Sequence, residues 1–232
     1  MEVQKPLSVF SPDTPREGWG FIQIEVIQLN CHNARQAHTE LGLIMSKHSN
    51  VVALTQEPYV NGKKQLACLP KGYDVFPGKK DGHPRTAIIA SRQLKLTEIN
   101  EICSNNITAR GGLIGDNRII LAGIYMHYDK EVILEEMKTL IDYCRRNTFQ
   151  LIIAADSNAH SNLWGPEPKR TCKRGERLEE WILKEGMVIH NIGEQPTFEN
   201  KRCSSAIYIT ISLNLKPDLR NWTVQDLSLI HI

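Results

Sequence analysis

Apolar and polar residues alternate along several short segments, which is the pattern of β-strands. The first segment, residues 21–29, would place Ile22, Ile24 and Val26 on one face. Short apolar runs or renewed alternation predict further strands at residues 51–54, 86–90, 119–125, 151–155, 207–211 and 222–225.

Apolar residues at helical spacing predict three helices, at about residues 37–47, 130–146 and 175–185. The clearest is 130–146, where acidic residues occupy the first half and Arg145 and Arg146 end the helix, as the helix dipole favours. Its apolar stripe consists of Ile133, Met137, Leu140, Ile141 and Cys144.

Strands and helices therefore interleave, which predicts an α/β fold. The pattern leaves open whether the strands form one central sheet or two packed sheets. We expect residues 1–20 to be a loose leader and residues 21–226 to form one domain, because no repeat or linker divides the chain.

Composition narrows the class of protein without naming a partner. The chain has 28 Lys and Arg against 26 Asp and Glu, so any DNA-binding surface must come from local clustering of charge. Six scattered cysteines without a Cys-x-x-Cys pair argue against a zinc site and a disulfide framework. With no secretory signal and no apolar run of membrane-spanning length, we expect an intracellular protein that does not enter a membrane.

Polar residues follow the apolar strands where each strand ends: Asn30, Glu57, Tyr125, Asp156 and Asn158. In α/β folds these ends form the ligand crevice. Taken singly, each residue is more typical of a turn, a cap or a strand exit, but the ordered set favours function. Glu57 suits Mg²⁺, Asp156 suits activation of water, and the neutral donors suit phosphate, as phosphodiester hydrolysis requires.

Together these residues resemble a known pattern. Gln-x-Asn at 28–30, Gln-Glu-Pro at 56–58, a strand ending in Tyr125, and Asp-x-Asn-Ala-His-x-x-x-Trp-Gly at 156–165 resemble the endonuclease/exonuclease/phosphatase superfamily. The chain looks like the apurinic-type endonuclease domain of non-LTR retrotransposons of the jockey and TRAS kind. Arg174-Gly175 and Trp222-x-Val224 agree, and the similarity spans about residues 22–226.

The resemblance implies a four-layer αββα sandwich of two packed mixed sheets. It also implies Mg²⁺-dependent nicking of double-stranded DNA, with Mn²⁺ as a possible substitute. The nick would leave a 3′-hydroxyl that primes a reverse transcriptase domain of the same polyprotein, in the nucleus. By motif, Glu57 would bind the metal and Asp156 would activate water. Asn30, Tyr125 and Asn158 would hold the phosphate, and His160 would lie at the rim of the site or contact DNA.

A basic segment at residues 169–174 follows the Asp156 motif, and within it Lys173 and Arg174 are the predicted contacts to DNA. The pairs Lys63-Lys64 and Lys79-Lys80 are weaker candidates. Solvent-exposed loops are the usual explanation for such charge runs.

The chain departs from the family pattern in two places. The strand that the family writes Ile-Asp-(Leu/Ile)-Thr has Tyr208 in place of the carboxylate. The terminal Ser-Asp-His is also missing, and His231 has no Asp before it. We expect residues 227–232 to be a non-native tail encoded by a sequencing adapter. We also expect the chain to be inactive, because it departs from the family pattern in these two places. Two alternatives stay open: another phosphodiesterase or phosphatase of the superfamily, and a decayed, non-catalytic transposon fragment.

Overall fold

The computed structural model describes residues 3–4, 7–10, 24–63, 65–78, 83–99, 102–165, 171–191, 195–199, 204–215 and 220–224. Within these ranges the helices are α1 (Arg35–Met45), α2 (Glu135–Arg146) and α3 (Lys173–Lys184), with a 3₁₀ turn at Arg92–Leu94. The strands are β1 (Val3–Gln4), β2 (Leu7–Phe10), β3 (Glu25–Asn30), β4 (Val51–Gln56), β5 (Tyr73–Pro77), β6 (Thr86–Ser91), β7 (Thr97–Glu98), β8 (Ile107–Ile114), β9 (Asn117–Tyr125), β10 (Gln150–Asp156), β11 (Val188–Ile189), β12 (Phe198–Glu199), β13 (Ser204–Ser205), β14 (Tyr208–Leu213) and β15 (Arg220–Val224).

Two six-stranded sheets carry the fold. The first has the order β15-β2-β3-β4-β6-β5 and the second the order β11-β14-β10-β9-β8-β7. Both large sheets are mixed, because β3 pairs with β4 in parallel and β9 pairs with β10 in parallel, while their other pairings are antiparallel. A short third sheet joins β1, β12 and β13.

The two large sheets pack face to face and the helices cover their outer faces. Leu41 and Met45 of α1 pack against Ile27 and Leu29 of the first sheet. Helices α2 and α3 pack against the second sheet, and Leu178 of α3 is fully buried there. The resulting four layers confirm the αββα expectation and answer the question that the strand pattern left open.

Along the core strands, the face that meets the other sheet changes from apolar to polar toward the carboxyl end. On β4 it runs Val52, Leu54, Gln56, and on β10 it runs Ile152, Ala154, Asp156, with the apolar members in the core between the sheets. Gln56 is buried and its Nε2 donates to the carbonyl of Ala154 across the gap, at 2.9 Å. A dry core thus grades into a hydrogen-bonded polar layer at one edge of the sandwich.

Helix α2 begins later than the sequence predicts, at Glu135 rather than at about Lys130. In a helix that starts at Lys130, the backbone carbonyl of Lys130 would accept a hydrogen bond from the amide of Leu134. Instead the carbonyl accepts a hydrogen bond from Arg174 Nη1 at 2.6 Å. Ile133 therefore packs against the core from the segment before the helix.

Other differences concern weakly patterned strands. Leu7–Phe10 lies within the predicted leader but pairs antiparallel with β3. Neither β5 nor β8 was predicted, since β5 is half-buried throughout and β8 contains Arg110 and two glycines. No helix of the described ranges is long and apolar enough to cross a membrane. Residues 225–232, including the predicted adapter-derived tail, lie outside the described residues.

Candidate active site

An open cleft of about 390 Å³ lies where the carboxyl ends of the two parallel strand pairs meet. Asn30 is in register with Gln56 in one sheet, and Tyr125 is in register with Asp156 in the other. Asn30 Nδ2 donates to Asp156 Oδ2 at 2.8 Å and joins the two sheets at this point. The residues that line the cleft are Asn30, His32, Glu57, Tyr125, Asp156, Asn158, His160, Phe198, Ser205, Ile207 and Tyr208.

Asp156 lies at the floor of the cleft with only 2% of its surface exposed. Its Oδ1 accepts from the backbone amide of Asn158 at 3.2 Å, in addition to the bond from Asn30. Burial raises the pKa of Asp156 to about 7. The two hydrogen bonds favour the charged form and act in the opposite direction, but burial has the larger effect. The carboxyl group therefore titrates near neutral pH, where a general base is most effective.

Asn30 and Asn158 make contacts within the protein. Asn30 donates to Asp156, and its Oδ1 accepts from the backbone amide of His32 at 2.9 Å. Asn158 Nδ2 donates to the carbonyl of Met126 at 3.1 Å. In this structure Asn30 orients Asp156, a positioning contact that the motif alone does not reveal.

Glu57 follows β4 in a left-handed backbone conformation with φ of 43°. This conformation costs about 1–2 kcal/mol in a residue with a Cβ. Two backbone bonds hold it: the Glu57 amide donates to the carbonyl of Arg85, and its carbonyl accepts from the amide of Asn33, both at 2.8 Å. The turn directs the carboxylate into the cleft instead of along the strand.

Two basic side chains contact the Glu57 carboxylate. Nδ1 of His32 lies 3.3 Å from Oε2, and Nη1 of Arg85 lies 3.0 Å from Oε1. The hydrogen bond from His32 lowers the pKa of Glu57 in spite of burial, and the charge of Arg85 and a hydrogen bond from Tyr125 act in the same direction. Glu57 is thus ionised at neutral pH.

Tyr125 ends β9 beside both carboxylates. Burial, followed by the negative charges of Glu57 and Asp156, raises the pKa of its hydroxyl to about 12. The hydroxyl therefore stays protonated and donates to Glu57. A protonated tyrosine is a suitable neutral donor to a phosphate oxygen.

The metal that the resemblance implies is Mg²⁺, and the residues present fit it. Among the described residues no three His, Cys, Asp or Glu side chains are grouped as a metal site. Mg²⁺ requires less, since one or two carboxylates and several waters suffice. Glu57 supplies an ionised carboxylate that already faces two basic groups, with Asp156 across the same cleft. Glu57 is the residue that would hold the ion.

Three residues predicted for the rim of the site or for DNA contact lie together around the start of α3: His160, Lys173 and Arg174. The amide of His160 donates to Cys172 Sγ at 3.3 Å, and its carbonyl accepts from the amide of Cys172 at 3.0 Å. Lys173 is exposed. Arg174 differs: its Nε and Nη2 donate to the carbonyls of Ser157 and Met126, at 3.0 and 3.3 Å.

With the bond to Lys130, the Arg174 guanidinium thus fastens three loop segments. These contacts hold the Arg174 guanidinium against the protein, and Lys173 is the more accessible of the two residues predicted to contact DNA. Lys169 and Arg170 of the same basic segment lie outside the described residues.

Tyr208 stands where the sequence resemblance predicts a carboxylate. It pairs directly with Asp156 across β14 and β10, and only 2% of it is exposed. Its side chain belongs to the apolar core between the sheets. A buried phenol therefore stands next to the proposed base.

His32 and Arg85, whose side chains contact Glu57, were not predicted from the sequence. His32 is two residues after Asn30, and Arg85 immediately precedes β6. The only available signal was that each is a basic residue beside a strand end.

Comparisons with known proteins agree with this architecture. A family model described as endonuclease-reverse transcriptase matches residues 119–228. The putative 115 kDa protein in the type-1 retrotransposable element R1DM of Drosophila melanogaster is 29% identical over 203 residues, which cover 82% of this chain. The match covers 19% of that relative, so the chain corresponds to a small part of its length.

Two solved structures show the same fold. The endonuclease domain of TRAS1, a telomere-specific non-LTR retrotransposon, has a TM-score of 0.69 and 27% identity, over 82% of this chain and 84% of that one. A mannosyl-6-phosphatase from Bacteroides thetaiotaomicron has a TM-score of 0.55 and 11% identity, over 81% and 84%. At that identity the likeness concerns the fold alone.

The fold and these matches define the class that the chain resembles: in fold and sequence it is similar to domains of the endonuclease/exonuclease/phosphatase superfamily. Within that superfamily the most specific similarity is to a non-LTR retrotransposon endonuclease domain, in agreement with the resemblance seen in the sequence.

Proposed function

We propose that this chain is a Mg²⁺-dependent DNA endonuclease domain, and that Tyr208 impairs it. It would nick one strand of double-stranded DNA and leave a 3′-hydroxyl for a reverse transcriptase domain of the same polyprotein. The observation that carries the proposal is the hydrogen bond between Asn30 and Asp156, because it joins a water-activating carboxylate to the sheet that presents Glu57.

The chemistry follows from the positions of the side chains. Asp156 takes a proton from a water molecule, whose oxygen attacks phosphorus as the bond to the 3′-oxygen breaks. The leaving 3′-oxygen takes a proton from solvent, so the products are a 3′-hydroxyl and a 5′-phosphate. The protonated Tyr125 donates to a phosphoryl oxygen. Mg²⁺ at Glu57 would supply charge stabilisation to the phosphoryl group.

Tyr208 supports the impaired state. A carboxylate at this position, next to Asp156 on the adjacent strand, would add negative charge to the cleft and orient a basic group there. The phenol cannot do so. Loss of one donor that stabilises the developing negative charge, such as a basic group that this carboxylate would orient, typically lowers an enzymatic rate about 10²–10³-fold. The same observation favours the second candidate function, a fragment that binds DNA without cleaving it.

The test is relaxation of supercoiled plasmid with Mg²⁺. We expect very slow nicking by the unmodified chain and faster nicking by a variant that combines Tyr208→Asp with a Ser-Asp-His segment in place of residues 227–232. Each change alone should do less. Tyr208→Asn is the matched control, since it opens the same space without a charge. Rapid nicking by the unmodified chain that Asp156→Ala abolishes would contradict the proposed impairment.

Metal binding is tested separately by calorimetry on the metal-free protein. Glu57→Ala should remove the Mg²⁺ isotherm, while Glu185→Ala, at a surface ion pair with Arg145, should leave it intact. An unchanged affinity in Glu57→Ala would place the ligand elsewhere.

A further inference from the structure

Arg85 lies beside the cleft, in contact with the lining residues Glu57 and Tyr125, and two hydrogen bonds hold its backbone. Its amide donates to the carbonyl of Asn105 and its carbonyl accepts from the amide of Glu57, both at 2.8 Å. Its guanidinium carbon lies 5.4 Å from the centre of the Tyr125 ring, and 35% of the side chain is exposed. The charged end is therefore anchored beside Glu57 and Tyr125 but open to solvent.

The Arg85 side chain has more N–H donors than hydrogen bonds within the described residues. A guanidinium has five N–H donors in a planar fork. Among the described residues, its side chain donates one hydrogen bond, from Nη1 to Glu57 Oε1 at 3.0 Å. His32 already contacts the other oxygen of the same carboxylate. Arg85 thus retains donors for an anion that enters the cleft.

We propose that Arg85 binds the DNA backbone phosphate in this cleft, and that Glu57 holds its guanidinium there until DNA enters. This inference rests on the proposed endonuclease function. A guanidinium matches phosphate in two-point geometry, so phosphate is a better partner than one carboxylate oxygen. The present ion pair is partly exposed, and such pairs exchange readily because they contribute little.

A purely structural role for Arg85 makes a different prediction. If the ion pair served only to hold Glu57 in its turn, removal of Arg85 would affect folding and the position of Glu57, but not the number of phosphate contacts. DNA binding measured without metal separates the two roles, because it requires neither catalysis nor Mg²⁺.

The first experiment measures the affinity for a short DNA duplex by fluorescence anisotropy in EDTA over a range of salt concentrations. Arg85→Ala should weaken binding about 5–10-fold and reduce the salt-dependence slope by about 1, as expected for one lost phosphate contact. Arg92→Ala is the matched control: Arg92 is 67% exposed and pairs with Asp74 at 3.4 Å. It should leave the slope unchanged. Arg85→Lys should retain most of the slope and lose part of the affinity.

The second experiment releases Arg85 without removing it. Glu57→Gln should bind the duplex several-fold more tightly than the unmodified chain in EDTA, and adding Arg85→Ala should cancel the gain. Glu185→Gln has the same charge change in the surface pair with Arg145 and should produce no comparable gain.

The outcomes separate the inference from the function on which it rests. If the chain binds DNA but Arg85→Ala behaves like Arg92→Ala, with unchanged thermal unfolding, the inference is overturned alone. The inference is also overturned alone if Glu57→Gln increases the affinity for the duplex no more than Glu185→Gln does. If the unmodified chain does not bind DNA, the proposed function fails together with the inference.

Discussion

At the scale of single residues, the site concentrates groups that a folded protein usually avoids. Glu57 and Asn158 both adopt left-handed backbone conformations, with φ of 43° and 46°. Asp156 is a carboxyl group with almost no exposed surface. Each feature costs stability, and each lies at the cleft, where strain and unfavourable burial are typical of functional positions.

Asp156→Asn should stabilise the protein at alkaline pH. The folded pKa of Asp156 is raised from an ordinary 3.8 to about 7. Its contribution to the free energy of unfolding therefore falls as pH rises through this window and is flat above it. At pH 8 we expect a gain of up to about 4 kcal/mol, since the shift from 3.8 to about 7 spans roughly three pKa units and each corresponds to about 1.4 kcal/mol.

Thermal unfolding in EDTA measures this gain, which should shrink at pH 5, where Asp156 is mostly neutral. The exposed Asp142→Asn on α2 serves as the control. A gain of equal size at both pH values would show that the buried charge is not its source.

At the scale of elements, the sequence predicted the core strands and helix faces because burial follows periodicity there. Leu178, Trp181 and Ile182 of α3 were predicted as buried and are buried. The polar ends of β3, β4, β9 and β10 were visible as well. The roles of Gln28 and Gln56 could not be predicted from the sequence. Their side-chain amides donate to carbonyls of the opposite sheet, and hydrogen bonds between sheets leave no periodic signal in the sequence.

The N-terminus of α3 shows why Gly175 follows Arg174. A Cβ on Gly175 would lie 2.0 Å from the carbonyl oxygen of His160. The helix can approach the loop after β10 this closely only without a side chain. The Arg174-Gly175 pair therefore has a structural explanation. Arg174 hydrogen-bonds to three loop segments, and Gly175 allows α3 to approach the carbonyl of His160.

Gly175→Ala should therefore destabilise the protein by about 2 kcal/mol or more, because backbone atoms rather than a flexible side chain must move. Urea unfolding measures the loss. Gly62→Ala is the matched control, since a Cβ there meets nothing within 4 Å. Similar losses in the two variants would contradict the tight approach of α3 to His160.

At the scale of the whole molecule, the cleft belongs to neither sheet alone. The first sheet supplies Asn30 and Glu57, and the second supplies Tyr125 and Asp156. The chain builds them in order: β2 to β6 enter the first sheet and β7 to β11 the second, while β12 and β13 join the small third sheet. Then β14 completes the second sheet, and β15 returns to pair with β2.

This order of assembly makes the domain a natural split reporter. Separate chains of residues 1–95 and 96–232 would each expose the apolar inner face of one sheet, so neither should fold alone. Mixed, they should recover far-UV circular dichroism and cooperative unfolding, with β15 of one fragment completing the sheet of the other. A cooperative transition in either isolated fragment would contradict this. A ligand of the cleft would then bind only the reunited pair, so its binding would report the association of the two halves.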